Sequence, residues 1–339
     1  MIELSELQDA AQKAFPADQL IPARDASWQL VAEMGWLMID LPEDAGGLGF
    51  GLDAVATILF EQGRVLCAAP LIPALLALRG IAASDTLADR DSWIERICGG
   101  EYVPLHMLPG AVERRADGAL DGRIAGVFEG DMAGHVLVGA AGAYRLVPVD
   151  APGVTLTERP LWDKSRRLFD LELSGYAPDP ALLVAEGDAA ARLHDAIAPL
   201  AHVALAADSL GGAAAALAMT VEYLKTRKQF DRPLAMFQAL KHRCADLKTH
   251  AAAAEALLWS RAVDTEATAV DFGALKGLAT DVYRMVVEEM VQLHGGIGLT
   301  EEHQCHLFLK RALLNLQLCG DLDHWREATG RAALARFAA

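Results

Sequence analysis

The chain is poor in positive charge, in cysteine and in aromatic side chains. Its 30 Lys and Arg stand against 46 Asp and Glu, a formal charge of −16. A surface of that sign repels nucleic acid, whose binding needs clustered cations against phosphate. A phosphorylated small molecule held by a few local cations is not excluded. The five cysteines, Cys67, Cys98, Cys244, Cys305 and Cys319, are odd in number, scattered and free of Cys-x-x-Cys spacing. Neither a disulfide framework nor a zinc site is expected from them. No uninterrupted apolar run is long enough to span a bilayer, so no membrane association is expected. The start, Met1 to Glu6, lacks a basic segment followed by an apolar core, so a cytoplasmic protein without a secretory leader is expected. Gly-x-Gly-x-x-Gly spacing after a strand is also missing. Gly46-Gly47-Leu48-Gly49 follows a helical period instead and reads as a connector.

What is present is a globular composition, 53% hydrophobic and 22% charged. The texture divides in three. Residues 1–100 carry helical periods: Trp28, Val31, Met34, Gly35 and Leu37 form one stripe, and Leu52, Val55, Ile58, Leu59 and Gln62 another. Residues 101–180 turn to short apolar runs parted by Gly, Pro and Asp, such as His135–Val138, Tyr144–Val149 and Phe169–Leu173. These predict short strands in a small β-barrel or sandwich. Residues 181–339 return to Ala-rich helical periods. Long helices are expected over about 188–228, 237–263, 271–294 and 301–319, with a shorter one from Leu322. Asp271 and Thr300 read as N-caps, and Gly295-Gly296 and Gly320 as stops. The fold class is therefore α+β, mainly α: a helical N-terminal domain, a middle β-domain and a C-terminal helical bundle.

Two stretches of the last region carry candidate chemistry. Asp231-Arg232-Pro233 breaks one long helix, and Gln238 opens the next. Arg227 sits at that corner. Its planar fork of donors suits a diphosphate, although a cationic helix end also complements the helix dipole. Further on, Gln292-Leu293-His294-Gly295-Gly296-Ile297-Gly298 closes a helix with glycines. They serve as a stop, or let backbone amides approach a bulky ligand.

Tyr223 to Leu247 resembles the acyl-CoA dehydrogenase signature Tyr-x-x-x-Arg-x-x-Phe-x-x-Pro-[LI]-x-x-Phe-Gln-x-[LI]-x-x-x-x-Ala-Asp-[ML] at every fixed position. Gln292 to Gly298 resembles the family's Gln-x-x-Gly-Gly-x-Gly, and Pro42 to Gly49 its Pro-Glu-x-x-Gly-Gly-x-Gly turn. The resemblance implies FAD. Arg227 would lie on the flavin diphosphate of a neighbouring subunit with Gln229, Phe230 and Gln238 nearby. Gln292, Gly295, Gly296 and Gly298 would contact its adenosine-diphosphate half. It also implies desaturation of an acyl-CoA thioester and an electron-transfer flavoprotein as acceptor. The assembly would be a homo-oligomer or a heterotetramer with a related subunit. The family's Thr-Glu-Pro-x-Ala-Gly-Ser-Asp-like loop and Trp-x-[ST] turn cannot be placed; Val103 to Gly110 and Gly126 to Glu129 stand there instead. His106 is a loop residue on this reading.

The reaction needs a carboxylate to take the α-proton. At the family's two positions for that glutamate this chain has Gly320 and Ala201. Asp321 is the nearest carboxylate. It is read either as the base or as the N-cap of the last helix, with Asp323 and His324 as fallbacks. A non-catalytic subunit of a two-chain dehydrogenase, or a flavin-free helical scaffold, are the alternatives. His303 and His306 share a helical spacing, but no third ligand is near in sequence, so no metal is expected.

Overall fold

The computed structural model describes residues 3–107 and 111–338; Leu108 to Gly110, part of the divergent stretch, lie outside it. Helices precede and follow a β-rich middle, and helix dominates. Helices α1 (Leu4–Ala14), α2 (Arg24–Glu33), α3 (Leu52–Arg64), α4 (Leu71–Ala82) and α5 (Arg90–Cys98) come first. The strands are β1 (Ala111–Arg114), β2 (Leu120–Phe128), β3 (His135–Ala140), β4 (Ala143–Pro148), β5 (Val154–Arg159), β6 (Leu168–Tyr176) and β7 (Leu183–Glu186). Then follow α6 (Asp188–Thr226), the strand pair β8 (Lys228–Gln229) and β9 (Arg232–Pro233), α7 (Gln238–Ala262), α8 (Ala269–His294), α9 (Cys305–Gln317) and α10 (Leu322–Ala338). The chain gathers into two compact units. One comprises Met1–Pro22, Leu52–Cys67 and His202–Ala339, the other Ala23–Gly51 and Ala68–Ala201.

The second unit holds all of β1 to β7. The strands form an antiparallel four-stranded sheet in the order β1-β2-β6-β5 and a three-stranded sheet β3-β4-β7. Leu120 and Leu173 of one sheet and Val138 and Val147 of the other line a common small cavity, so the two inner faces meet. Of the barrel and the sandwich that the short apolar runs allow, this is the sandwich. Helix α4 is buried almost throughout, and a Cβ on Gly80 would crowd Leu137 Cδ2 at 3.1 Å and Ile197 Cδ1 at 3.3 Å. The stripe from Trp28 to Leu37 is not one helix. Helix α2 ends at Glu33, Gly35 turns left-handed at φ +71°, and Trp36–Met38 form a short 3₁₀ turn. Trp28 and Leu37 are still buried, but Met34 is exposed. His106 is buried, with Nε2 3.0 Å from the Ala125 carbonyl, and burial lowers its pKa.

The first unit packs α1 on α3 and builds a bundle in which α8 packs against α7, α9 and α10. Its core includes Ile58, Leu59, Leu205, Leu210, Tyr283, Val286, Met290 and Phe308, each at most 1% exposed. Where α3 and α6 cross, a Cβ on Gly63 would lie 2.1 Å from the Asp208 carbonyl, and one on Gly211 1.9 Å from that of Phe60. Only glycine permits so close a backbone approach. Helix α6 is long and apolar enough by length and composition to cross a membrane, but its apolar run is interrupted by His202 and Asp208, and 78% of its apolar window is buried in the protein. Two expected caps also move. Thr268, not Asp271, caps α8, and Asp271 completes a capping box from the third helical position. Thr300 follows the 3₁₀ turn Gly295–Leu299, and α9 starts after Gln304.

Candidate functional site

The two motif-bearing stretches meet in the first unit. Helix α6 ends at Thr226, and the Arg227 amide still bonds the Tyr223 carbonyl at 2.8 Å, which fixes Arg227 one turn beyond Tyr223. The Tyr223 ring stacks on His294 with centroids 4.3 Å apart, and its hydroxyl donates to the His294 carbonyl at 3.3 Å. His294 is the last residue of α8, and Gly295 follows it. Thus the roots of the arginine corner and of the glycine turn are clamped together by one aromatic pair.

Beyond that clamp the groups stand open. Arg227, Gln229, Phe230, Gln238, Gln292, Gly295 and Gly296 are exposed in the single chain. Among the described residues the Arg227 guanidinium has no hydrogen-bond or ion-pair partner. Gly295 adopts φ +63°, ψ −143°, a conformation reserved for glycine, and nothing lies within 4 Å of a Cβ built on Gly295 or Gly296. A ligand phosphate can therefore reach this backbone. Gly298 differs: it is buried, and a Cβ there would sit 2.6 Å from the Val291 carbonyl, so it serves packing.

The connection from Arg227 to α7 is a two-residue hairpin. Lys228 pairs with Pro233 and Gln229 with Arg232. Phe230 and Asp231 turn it with φ +53° and +61°, the sign required of a type I′ turn. A bulky residue is a poor choice there, yet Phe230 is 83% exposed. Its ring meets Phe237 edge-on at 6.1 Å, and Arg232 lies over Phe237 at 4.1 Å.

The candidate base region lies at the other end of α9. Arg311 is fully buried; Nη1 donates to Asp208 Oδ1 at 2.8 Å and Nη2 to the Cys67 carbonyl at 3.1 Å. Asn315 Nδ2 donates to the second Asp208 oxygen at 2.7 Å and to Ser209 at 3.0 Å. The buried Lys276 ammonium donates to the Leu316 carbonyl at 3.0 Å and the Gly320 carbonyl at 2.6 Å, and burial brings its pKa down to about 8. Gly320 itself has φ +89°, and a Cβ there would lie 2.8 Å from Trp325 Nε1 and 2.9 Å from His324 Cδ2. The Trp325 indole donates to the Cys319 carbonyl at 2.9 Å, contacts His202 with centroids 4.7 Å apart, and covers Gly273, where a Cβ would fall 2.0 Å from it. Asp321 is exposed, and its Oδ1 accepts from the His324 amide at 2.8 Å, the geometry of an N-cap to α10. Asp323 is exposed, and Ala201 is buried and bears no titratable group.

The histidines regroup. His303 precedes α9, so it does not share a helix face with His306, whose Nδ1 lies 3.2 Å from Lys310 Nζ. Instead His303 meets His294 and Cys305. Sequence reading also passed over Lys276, Asp208 and Trp325. The available signals were a lone charge within each apolar helical period and the Gly273-x-x-x-Gly277 spacing that makes room for an indole.

Comparison with known proteins identifies the family and the fold. Residues 5–101 match the model of the acyl-CoA dehydrogenase N-terminal domain, and residues 199–334 that of the C-terminal domain. The acyl-CoA dehydrogenase IpdE2 of Mycobacterium tuberculosis is 33% identical over 302 residues, 87% of this chain and 82% of that protein. Among solved structures, the steroid ACAD Tcur3481-Tcur3483 is 29% identical with a TM-score of 0.85 over 99% of both chains. The ChsE4-ChsE5 complex of Mycobacterium tuberculosis superposes with a TM-score of 0.82 at 24% identity over 98% of both chains. Butyryl-CoA dehydrogenase of Megasphaera elsdenii does so with 0.81 at 21%, over 98% of this chain and 100% of that one. With its arginine corner and glycine turn clamped side by side, this chain belongs to the acyl-CoA dehydrogenase family, the flavin-dependent oxidoreductases of acyl-CoA thioesters.

Proposed function

We propose that this chain forms one half of a two-chain, FAD-dependent acyl-CoA dehydrogenase, holding the cofactor's diphosphate while the second chain supplies the α-proton base. The carrying observation is the state of the base positions. Ala201 and Gly320 have no carboxylate, Gly320 is closed against Trp325, and Asp321 is engaged as a helix cap. The cofactor half rests on the unpaired Arg227 fork and the open amides of Gly295 and Gly296, a donor set suited to a diphosphate. Gln229, Phe230, Gln238 and Gln292, exposed around it, would complete the contact. When bound, FAD supplies the hydride acceptor for the β-carbon of the thioester.

The likeness to a steroid ACAD of two names and to a two-protein complex supports a paired assembly and a bulky acyl-CoA substrate. The test is visible absorption. The chain expressed alone, or with its candidate partner, is mixed anaerobically with acyl-CoA thioesters of small and polycyclic acyl groups. Flavin bleaching is expected only with the partner present. Bleaching by the lone chain that disappears in a folded, yellow Asp321→Asn variant would overturn this reading and make Asp321 the base. A colourless chain under all these conditions would favour a scaffold that has lost flavin.

A further inference from the structure

We infer that His294, His303 and Cys305 form a binding site for a zinc-class divalent metal ion, with a fourth position left to water. One ligand atom from each residue lies within 4.8 Å of the other two. A nitrogen–nitrogen–sulfur set of this kind suits a borderline-soft ion in tetrahedral geometry.

The decisive feature is His294. It is 3% exposed, its Nδ1 lies 2.7 Å from the Met290 carbonyl, and its Nε2 is buried with no hydrogen-bond partner among the described residues. The Nδ1–H donating to a carbonyl fixes the tautomer that leaves a lone pair on Nε2. That is how metal-ligating histidines are oriented by their outer shell. A buried imidazole nitrogen without a partner is costly, and a bound ion would satisfy it. The Tyr223 ring, 4.3 Å away, holds the imidazole plane from one side, and His303 approaches with centroids 4.4 Å apart from His294.

His303 and Cys305 complete the set. Cys305 Sγ lies 3.0 Å from His303 Nδ1, and the Cys305 amide donates to the same nitrogen at 3.4 Å. Nδ1 is therefore an acceptor, and the thiol proton lies between sulfur and nitrogen. A metal ion replaces that proton: the S–H bond breaks, a metal–thiolate bond forms, and the proton leaves to solvent. Tetrahedral bonds of about 2.0 and 2.3 Å put nitrogen and sulfur about 3.5 Å apart. The pair must open by about half an ångström, and the Cys305 amide must give up its long bond to Nδ1, whose one lone pair then goes to the metal. Burial lowers both histidines, the direction that favours the neutral, ligating imidazole, and it raises the Cys305 thiol to about 11, a cost that the metal–thiolate bond has to offset.

The ligands bracket the turn Gly295–Leu299: His294 stands at its entry, and His303 and Cys305 follow its exit. A metal there would tie the two ends of the glycine turn. The site does not depend on the turn's role in flavin binding.

The test uses the untagged full-length chain, stripped with chelator and titrated with cobalt(II) while difference spectra are recorded. One equivalent should bind, with tetrahedral d–d bands and a sulfur-to-cobalt charge-transfer band that zinc bleaches. Cys305→Ser should lose the charge-transfer band. His294→Gln should weaken binding by more than about 100-fold, since even outer-shell losses cost about 10–100-fold. His303→Asn gives the same test should either variant fail to fold. No saturable binding at one equivalent, or a charge-transfer band that survives in Cys305→Ser, would overturn the inference.

Discussion

A fully buried ammonium in the α8 core is a costly group. Lys276 answers it with two carbonyls, of Leu316 and Gly320, at the end of α9. Burial holds its pKa near 8 in the native chain, against about 10.4 in an unfolded one. Between those values the unfolded chain keeps the proton and the native chain does not. Stability therefore rises with pH across that window, and below it the burial penalty is present in full. The gain is about 3 kcal/mol over the whole window. Urea midpoints at about pH 7.5 and about pH 10 should separate more in the wild type than in Lys276→Met, which removes the titrating group; equal separations would refute it. Nearby, Gly320→Glu tests whether the family's base can simply be restored. Its positive φ and the Trp325 indole oppose any side chain there, so we expect a loss of about 1–3 kcal/mol and no gain of turnover. A stable Glu variant that bleaches flavin with acyl-CoA would show that the pocket survives.

At the level of elements, α6 and α9 are joined by charge. Arg311 and Asp208 are both within 2% of complete burial, and Asn315 and Cys67 satisfy their remaining atoms. Removing one partner strands the other. Arg311→Ala or Asp208→Ala should lose about 3–5 kcal/mol in chemical denaturation, and the apolar pair Arg311→Met with Asp208→Leu should lose much less. A single variant within about 1 kcal/mol of wild type contradicts the pillar. The helices themselves were legible because apolar period, glycine stops and the break at Asp231-Arg232-Pro233 all act locally. The caps were less so: Thr268 and Asp271 sit three apart in a reciprocal box, and either reads as the first turn. The strand region was legible in kind from short apolar runs parted by Gly, Pro and Asp, but strand order β1-β2-β6-β5 comes from pairings far apart in sequence. The same distance hid the site. Tyr223 and His294 are 71 residues apart, and nothing in either neighbourhood marks their stacking. His306 looked like the partner of His303 by spacing, whereas a turn before α9 delivers His303 to His294 and Cys305.

For the whole molecule, the single chain leaves its cofactor groups facing solvent. Arg227, Phe230 and Gln238 are exposed, and Phe230 holds a left-handed turn that asparagine or glycine would fill with less strain. Such groups acquire a purpose when a second chain covers them. Under the proposed function, flavin is retained only in the assembly, and its loss should track dissociation. Arg227→Ala removes a charge-assisted, bidentate donor from the diphosphate, worth about 1.5–3 kcal/mol. FAD affinity should then fall roughly 10- to 150-fold. Phe230→Asn separates the two roles of the turn. It should leave the free chain as stable or more so, by up to about 1 kcal/mol, while weakening flavin retention. The measurement is the flavin-to-protein absorbance ratio of each variant across size-exclusion fractions, with melting temperature followed in parallel. Full flavin in Arg227→Ala, or in a fraction of monomer mass, would place the cofactor elsewhere. Loss of flavin together with loss of assembly in Phe230→Asn alone would make the turn a subunit contact rather than a cofactor contact.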